Sequence, residues 1–491
     1  MTPTTHLPRA LAALALLSGL ASAQATFHGL GSAWPYDLSA DGSAASGDLN
    51  FTGYFRWTPG GGVVGIGGVA AGNGVGGQAH ISLDGQTIAG TNLNGTSGLH
   101  EIAVYDVGSG TWSFKGGLGA SSGSETSSGW DISGDGQTVV GLGWISAGGA
   151  HAVTWNSSTG VVDLGSTVPN RSTRANATDD DGSVVFGWQD SASGFRQGAR
   201  WINGVQTLIT QNGNMMGEVA ACSADGTWAV GLGVGSNGWN PYRWSEAGGT
   251  ENLGLLPNIS NPRAGATSIT ADGQTVVGYV RPFGSPATFG RGFIWRPDLG
   301  MVDLTDYVQS LGVQLPAGYV LALPLAISAD GTAIAGVGRT AGSSGFVITG
   351  LPALSDTYCT AQVNSAGCTP AIAGDGVASV SSVFAYDIGA SQVLSNVVGL
   401  MIYSKSGAGS IPFNGGTICV GSPITRTSGQ FSGGSGSCGG TFSFDFNAYI
   451  DSGFDPNLFA GAQVWAQYWS RDLAAPGGSN LSDALHFYVV P

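Results

Sequence analysis

The chain has 491 residues, 16 Lys plus Arg against 31 Asp plus Glu, and a formal net charge of −15, with only 10% of residues charged. Gly occupies 85 positions, which long helices tolerate poorly because each costs about 1 kcal/mol relative to Ala; Lys occurs only at Lys115 and Lys405, so the clustered cations that neutralise phosphates are missing. Helical bundles, nucleic acid and anionic membrane surfaces are set aside, leaving many short strands in at least two folding units.

In chain order, His6 and Arg9, an apolar run from Leu11 to Leu20 and then Ala21-Ser22-Ala23 have the layout of a secretory signal with a small-residue cleavage site. Residues 1–23 are therefore expected to be a leader, Gln24 the mature N-terminus, and the protein secreted and extracellular. The run is about half the roughly 20 residues of a spanning helix and no later run is longer, so no membrane span is expected.

The dipeptide Asp-Gly then recurs at Asp41, Asp84, Asp135, Asp181, Asp225, Asp272 and Asp330, at intervals of 43 to 58 residues. Six residues beyond each Asp stands another Gly: Gly47, Gly90, Gly141, Gly187, Gly231, Gly278 and Gly336. A short alternating segment precedes each Asp-Gly and a β-branched one follows, as in Thr267 to Thr270 and Thr275 to Val277, which marks a hairpin with the seven Asp residues as structural turns. A third strand ends in an aromatic, at Trp57, Tyr105, Trp155, Trp201, Trp244 and Trp295, and a fourth is the Leu-Gly segment, clearest at Val161 to Gly165 and Glu251 to Gly254. The fixed position of the aromatics predicts packing between units.

Four strands per unit cannot bury both faces of a sheet alone, so successive sheets must stack around an axis, which makes a seven-bladed β-propeller over residues 24–352. The seventh unit lacks its own Leu-Gly strand, and an orphan one, Phe27-His28-Gly29-Leu30-Gly31, stands at the mature N-terminus. It is expected to close the last blade and leave no open edge.

The run Gly149-Ala150-His151-Ala152-Val153-Thr154-Trp155, preceded by Asp131-Ile132-Ser133-Gly134-Asp135-Gly136, resembles the bacterial HAF repeat. The resemblance covers about residues 27–350; all seven units share the Asp-Gly hairpin, while the His-Ala portion is kept near His151. It implies an extracellular, propeller-like array and brings no catalytic or ligand-binding residue with it.

Beyond Pro352 the composition changes: Cys359, Cys368, Cys419 and Cys438 follow a stretch whose single Cys is Cys222. In a secreted chain they read as two disulfides with three possible connectivities, of which Cys359 with Cys368 and Cys419 with Cys438 close the shortest loops. Cys222, in a strand, reads as a buried small hydrophobe. Strands are expected over residues 377–386, 393–403, 417–420, 441–450, 462–469 and 485–490. Phe442, Phe444 and Phe446 should face a core while Ser443, Asp445 and Asn447 face water. Residues 353–491 are thus expected to be an antiparallel β-sandwich.

Signals for chemistry are sparse. Asp179-Asp180-Asp181-Gly182 approaches a calcium loop with the wrong spacing, so calcium at Asp179 and Asp181 is the one cofactor considered. His28, His80, His100, His151 and His486 show no metal-ligand spacing, and no Gly-x-Ser-x-Gly elbow sits at a strand-to-helix junction. No catalytic or metal-binding residue is assigned, and a glycosidase carboxylate pair, with Glu so sparse, would involve Asp. Trp465 and Trp469 flank Gln467 on one strand and are candidates for stacking on alternate rings of a polysaccharide, against the alternative of a core face. The expectation is a secreted, non-enzymatic scaffold or binding protein whose partners are extracellular polysaccharide or a surface protein; the alternative is a polysaccharide hydrolase or lyase with acidic residues at the propeller axis.

Overall fold

The structure, a computed structural model, describes residues 25–72, 75–146 and 148–491, so the expected leader lies outside the described residues. It is all-β: the two α-helices among the described residues, Leu304–Ser310 and Phe446–Asp451, have seven and six residues.

Seven four-stranded antiparallel sheets follow one another through Thr349. Six are simple meanders, the first being Ala33–Leu38, Ala45–Leu49, Gly53–Thr58 and Gly62–Gly67. The last joins Val320–Ile327, Ile334–Arg339 and Ser343–Thr349 to the N-terminal strand Thr26–Gly31, which pairs antiparallel with Ser343–Thr349, Phe27 opposite Ile348. Phe27 packs edge-on against Tyr319 at 5.1 Å and stacks on Phe346 at 6.5 Å. This arrangement is a β-propeller.

Local chemistry explains why each hairpin turns where it does. The Gly of every Asp-Gly has φ between 64° and 78°, a region open to Gly without steric cost. Each Asp carboxylate accepts the backbone N–H two residues on, from Ser43, Gln86, Gln137, Ser183, Thr227, Gln274 and Thr332, at 2.9 Å in every unit. In six units a Ser or Thr two residues earlier donates its hydroxyl to that carboxylate, as Ser82 does to Asp84 at 2.6 Å, and accepts the N–H three residues beyond it. In the fourth unit Asp179 stands at the hydroxyl's place and accepts from Ser183 Oγ and Val184 N. The second recurrent Gly sits where the inner strand comes closest: a Cβ on Gly141 or Gly187 would lie 2.0 Å from the carbonyl oxygen of Ser128 or Arg174.

Where the seven turns meet, backbone hydrogen bonds of 2.9 to 3.3 Å run from sheet to sheet: Ala40 N to Leu83 O, Leu83 N to Gly134 O, Asp135 N to Asp180 O, Asp180 N to Ala224 O, Ala224 N to Ala271 O, Ala271 N to Ala329 O and Asp330 N to Ala40 O. The last returns to the first, so the inner strands form a closed ring. Trp57, Trp201, Trp244 and Trp295 are buried between sheets, Trp244 meeting Phe186 of the preceding sheet edge-on at 6.3 Å. Tyr105 and Trp155 are half-buried.

The C-terminal region holds a six-stranded sheet containing Ser355–Tyr358, Ser479–Tyr488, Gln463–Arg471 and Val398–Ser404, a three-stranded sheet of Ala371–Asp375, Asp387–Val393 and Gly440–Asp445, and the hairpin Ala408–Phe413 with Gly416–Val420. One apolar core joins Ile388, Ala390 and Phe442 of the smaller sheet to Met401, Tyr403, Val464, Tyr468 and Phe487 of the larger. Val377 and Val490 pack with Phe346 and Leu351 in a cluster shared with the last propeller sheet.

Four expectations for this region are corrected. The disulfides run crosswise, Cys359 to Cys419 and Cys368 to Cys438, across 60 and 70 residues. The sheet places Cys359 beside the hairpin that carries Cys419, and Tyr358 Oη donates to Cys419 O at 2.7 Å. Residues 377–386 form a loop, tied by Asn447, whose Nδ2 donates to Val377 O and Phe384 O and whose Oδ1 accepts from Ser379 N. Asn447 is accordingly buried, not wet: Asp445 caps a helix by accepting from Ala448 N, so the alternation ends there. The expected strand 393–403 starts later, at Val398: a turn at Asn396, φ 61°, separates Val398–Ser404 from Val393, which ends a strand of the smaller sheet.

Candidate functional site: an axial chamber and the opposite rim

Each inner strand aligns the residue four before its Asp-Gly: Asp37, His80, Asp131, Ala177, Ala221, Ser268 and Ala326. In the first three sheets this position carries titratable side chains and in the other four small ones. His80 Nδ1 lies 3.0 Å from Asp131 Oδ1 and 3.6 Å from Asp37 Oδ2. The chamber they line, about 130 Å³, also touches Asn176, Cys222 and Asp180.

Both carboxylates are held by backbone. Asp37 Oδ1 accepts from Leu38 N at 2.8 Å and Oδ2 from Ile81 N at 2.9 Å; Asp131 Oδ1 accepts from Ile132 N at 2.8 Å and Oδ2 from Thr178 N at 2.9 Å. Ser268 Oγ does the same for Ile327 N at 3.2 Å. In each case the second contact crosses to the next sheet, so these side chains staple neighbouring inner strands. Burial pushes the Asp37 carboxyl up to about 6, with the His80 charge opposing and the Asp131 charge adding to the rise. For His80, burial favours the neutral ring, but the Asp131 hydrogen bond and the charges of Asp131, Asp37 and Asp48 outweigh it and raise its pKa.

Behind Tyr36, Asp48 is 2% exposed; Tyr36 Oη donates to its Oδ2 at 3.3 Å and its Oδ1 has no partner among the described residues. Burial drives this carboxyl up to about 7, against the pull of the Tyr36 hydrogen bond. Because the folded-state value lies above the unfolded one, the group favours folding at pH 4 and that advantage is lost as pH rises through 7. Asp48→Asn is expected to leave thermal stability at pH 4 little changed and to raise it at pH 8, by on the order of 3 kcal/mol; equal effects at both pH values in a melting series refute the assignment.

The other end of the axis, away from the Asp-Gly turns, is built from arginines and aromatics. Arg174 lies 3.6 Å over the Trp130 ring and 5.3 Å from that of Trp188, which Arg196 covers from 4.4 Å; both arginines pair with Glu218. Further along the rim Arg263 lies 3.9 Å from the Trp239 ring and 4.7 Å from that of Phe283, while Arg339 stands 5.9 Å from Phe289 and donates to Thr288 O and Gly290 O. Arg281 donates to Ser285 O at 2.6 Å and Arg171 to Ala192 O. Among the described residues the ion pairs of this rim involve Arg174, Arg196 and Arg291, whereas Arg171, Arg263, Arg281 and Arg339 have no carboxylate within 4.0 Å. Phe283 and Phe289 beside Arg263 and Arg339 are each more than 60% exposed, as is Phe195 on the adjoining loop.

The remaining sequence candidates fall elsewhere. Both Asp179 oxygens already serve the turn, and Asp181 accepts from Ser183 N. Cys222 is half-buried on the chamber wall, its thiol pKa pushed up by burial. Trp465 and Trp469 do not form one platform: Gln467 between them is fully buried, bonded to Thr417, Cys419 and Ser482, because the hairpin crosses over it. Trp465 stacks on His486 at 4.8 Å, and Trp469 lines a separate apolar pocket of about 370 Å³ with Leu400, Ile402, Phe413 and Arg426. The Asp37–His80–Asp131 group leaves no trace in the spacing of His along the chain; what its members share is one position in the repeat, four residues before Asp-Gly.

No protein-family model and no curated protein matches the chain. Among solved structures it is similar to TolB from Acinetobacter baumannii (16% identity over 54% of this chain and 61% of that one, TM-score 0.36), so it spans less than two thirds of that protein. It is also similar to the β-propeller domain of the trilobed protease from Pyrococcus furiosus (14% identity, 63% and 92% covered, TM-score 0.41) and to an oligogalacturonate lyase in complex with manganese (13% identity, 67% and 91% covered, TM-score 0.40).

Proposed function

We propose that the chain is a secreted, non-enzymatic binding protein: a seven-bladed propeller of HAF-like repeats over residues 24–352, joined to a β-sandwich over 353–491, that engages an acidic polysaccharide with its arginine-bearing face. The observation that carries this reading is the set of four arginines without carboxylate partners, two of which, Arg263 and Arg339, lie against exposed aromatic rings, on a chain whose net charge is −15. Guanidinium groups recognise carboxylates in a bidentate way, and aromatic faces pack on sugar rings, so a uronate-bearing polymer meets both. Two disulfides support an oxidising, extracellular setting, and among the described residues no helix is long and apolar enough to cross a membrane.

Affinity electrophoresis through gels containing polygalacturonate, alginate or neutral dextran tests this. Retardation is expected with the uronate polymers and not with dextran, and the double variant Arg263→Gln/Arg339→Gln should bind roughly tenfold more weakly; a variant that migrates like the parent overturns the proposal. A second reading, a hydrolase or lyase, draws on the raised Asp37 carboxyl beside Asp131. Against it stands the size of each of the two adjoining axial chambers, about 130 and 200 Å³, below the roughly 300 Å³ at which enclosing ligand sites begin. Release of reducing ends or unsaturated products from those polymers, abolished in Asp131→Asn, would establish the enzyme instead.

A further inference from the structure

We propose that Asp37, His80 and Asp131 hold a divalent first-row cation, of the Mn²⁺ or Zn²⁺ kind, at the propeller axis. Two carboxylates and one imidazole from three consecutive inner strands bring one ligand atom each within 4.8 Å of one another, with the imidazole nitrogen 3.0 and 3.6 Å from the two oxygens. Neighbouring ligands around a cation bound at about 2.1 Å stand about 3 Å apart, so little rearrangement is needed.

The repeat itself supplies an internal control. At the same position the other four units carry Ala177, Ala221, Ser268 and Ala326, so ligand-type side chains are confined to one arc of the ring. The small residues opposite leave the chamber of about 130 Å³, room for an ion and the waters that would complete its shell.

Orientation and charge agree with that reading. The backbone donors Leu38, Ile81, Ile132 and Thr178 fix both carboxylates, the kind of outer contact that aims metal ligands, and a bound ion would take the place of the proton that His80 Nδ1 shares with Asp131 Oδ1. No Lys or Arg lines the chamber, where Asp180 adds a further carboxylate and Asp48 lies behind Tyr36. A cation bound there would meet carboxylates and no fixed positive side chain. The site lies toward the Asp-Gly end of the axis, with His80 also lining the adjoining cavity that Arg174 and Glu218 reach, and its argument does not use what the arginine rim binds.

The full mature chain, stripped with a chelator, would be titrated calorimetrically with Mn²⁺ and with Zn²⁺, and the Mn²⁺ form examined by pulsed electron paramagnetic resonance. One site per chain is expected, the two ions competing, with a nitrogen coupling from a single imidazole. His80→Gln should remove that coupling, and His80→Gln and Asp131→Asn should each weaken binding at least tenfold with circular dichroism unchanged. Absence of the coupling in the parent, which needs no variant, overturns the proposal, as does absence of binding at millimolar cation or full affinity in both variants.

Discussion

Removing residues 25–32 is expected to destabilise the propeller by on the order of 5 kcal/mol or more, read as a large fall in melting temperature by calorimetry. The deleted strand takes away the packing of Phe27 on Tyr319 and Phe346, the burial of Leu30 and the edge-on contact of His28 with Trp57 at 5.1 Å. Buried Leu30 and half-buried Phe27, at up to about 3 kcal/mol for a fully buried side chain, supply most of that figure, and the lost strand pairing the rest. Deletion also bares the edge of Ser343–Thr349, whose Phe346, Val347 and Ile348 are fully buried in the native chain. An unchanged melting temperature would mean that the last sheet is complete without the N-terminal strand.

The second large effect concerns the cross-links. Replacing both cysteines of either disulfide by Ser is expected to cost about 4 kcal/mol, since in the chain-entropy description loops of 60 and 70 residues restrict the unfolded chain far more than local loops would. Non-reducing peptide mapping checks the pairing directly: a peptide joining Cys359 to Cys419 is expected, and one joining Cys359 to Cys368 refutes the crosswise arrangement. The loss should appear in the unfolding of residues 353–491, with the propeller's own transition moving less.

What the sequence disclosed divides along the line between local and distant causes. The Asp-Gly hairpins are legible because everything that makes them, a carboxylate, a hydroxyl two residues earlier and a Gly with positive φ, lies within about seven residues. The N-terminal strand was legible because a repeat with a missing member has one vacancy. Cysteine pairing was not, because Cys359 and Cys419 meet only through the order of strands in a sheet that no local signal announces. The same holds for Gln467, which alternates with Trp465 and Trp469 as an exposed residue would and is covered by a hairpin some 50 residues away in sequence. Asp445 misled in a third way: on a strand it reads as a wet residue, while its carboxylate starts a helix.

The candidate axial site shows that a repeat can hide chemistry in plain view. Asp37, His80 and Asp131 are far apart in sequence and of unlike type, yet they occupy one register, and the ring places one register at one height. Aligning the seven units and asking which columns depart from small residues isolates them without reference to any His spacing.

The pairing of Thr26–Gly31 with Ser343–Thr349 also orders events in time. His28 and its hydrogen-bonded partner Thr349 are separated by 321 residues, so the first strand to leave the ribosome is the last to find its place. Six meanders can form from neighbouring strands as they emerge, but the final sheet waits for the whole array. A chain cut short anywhere before residue 343 therefore carries an unmatched strand at its start and no partner to receive it. Closure of the ring thus waits for residue 349, and any shorter chain presents an open sheet edge.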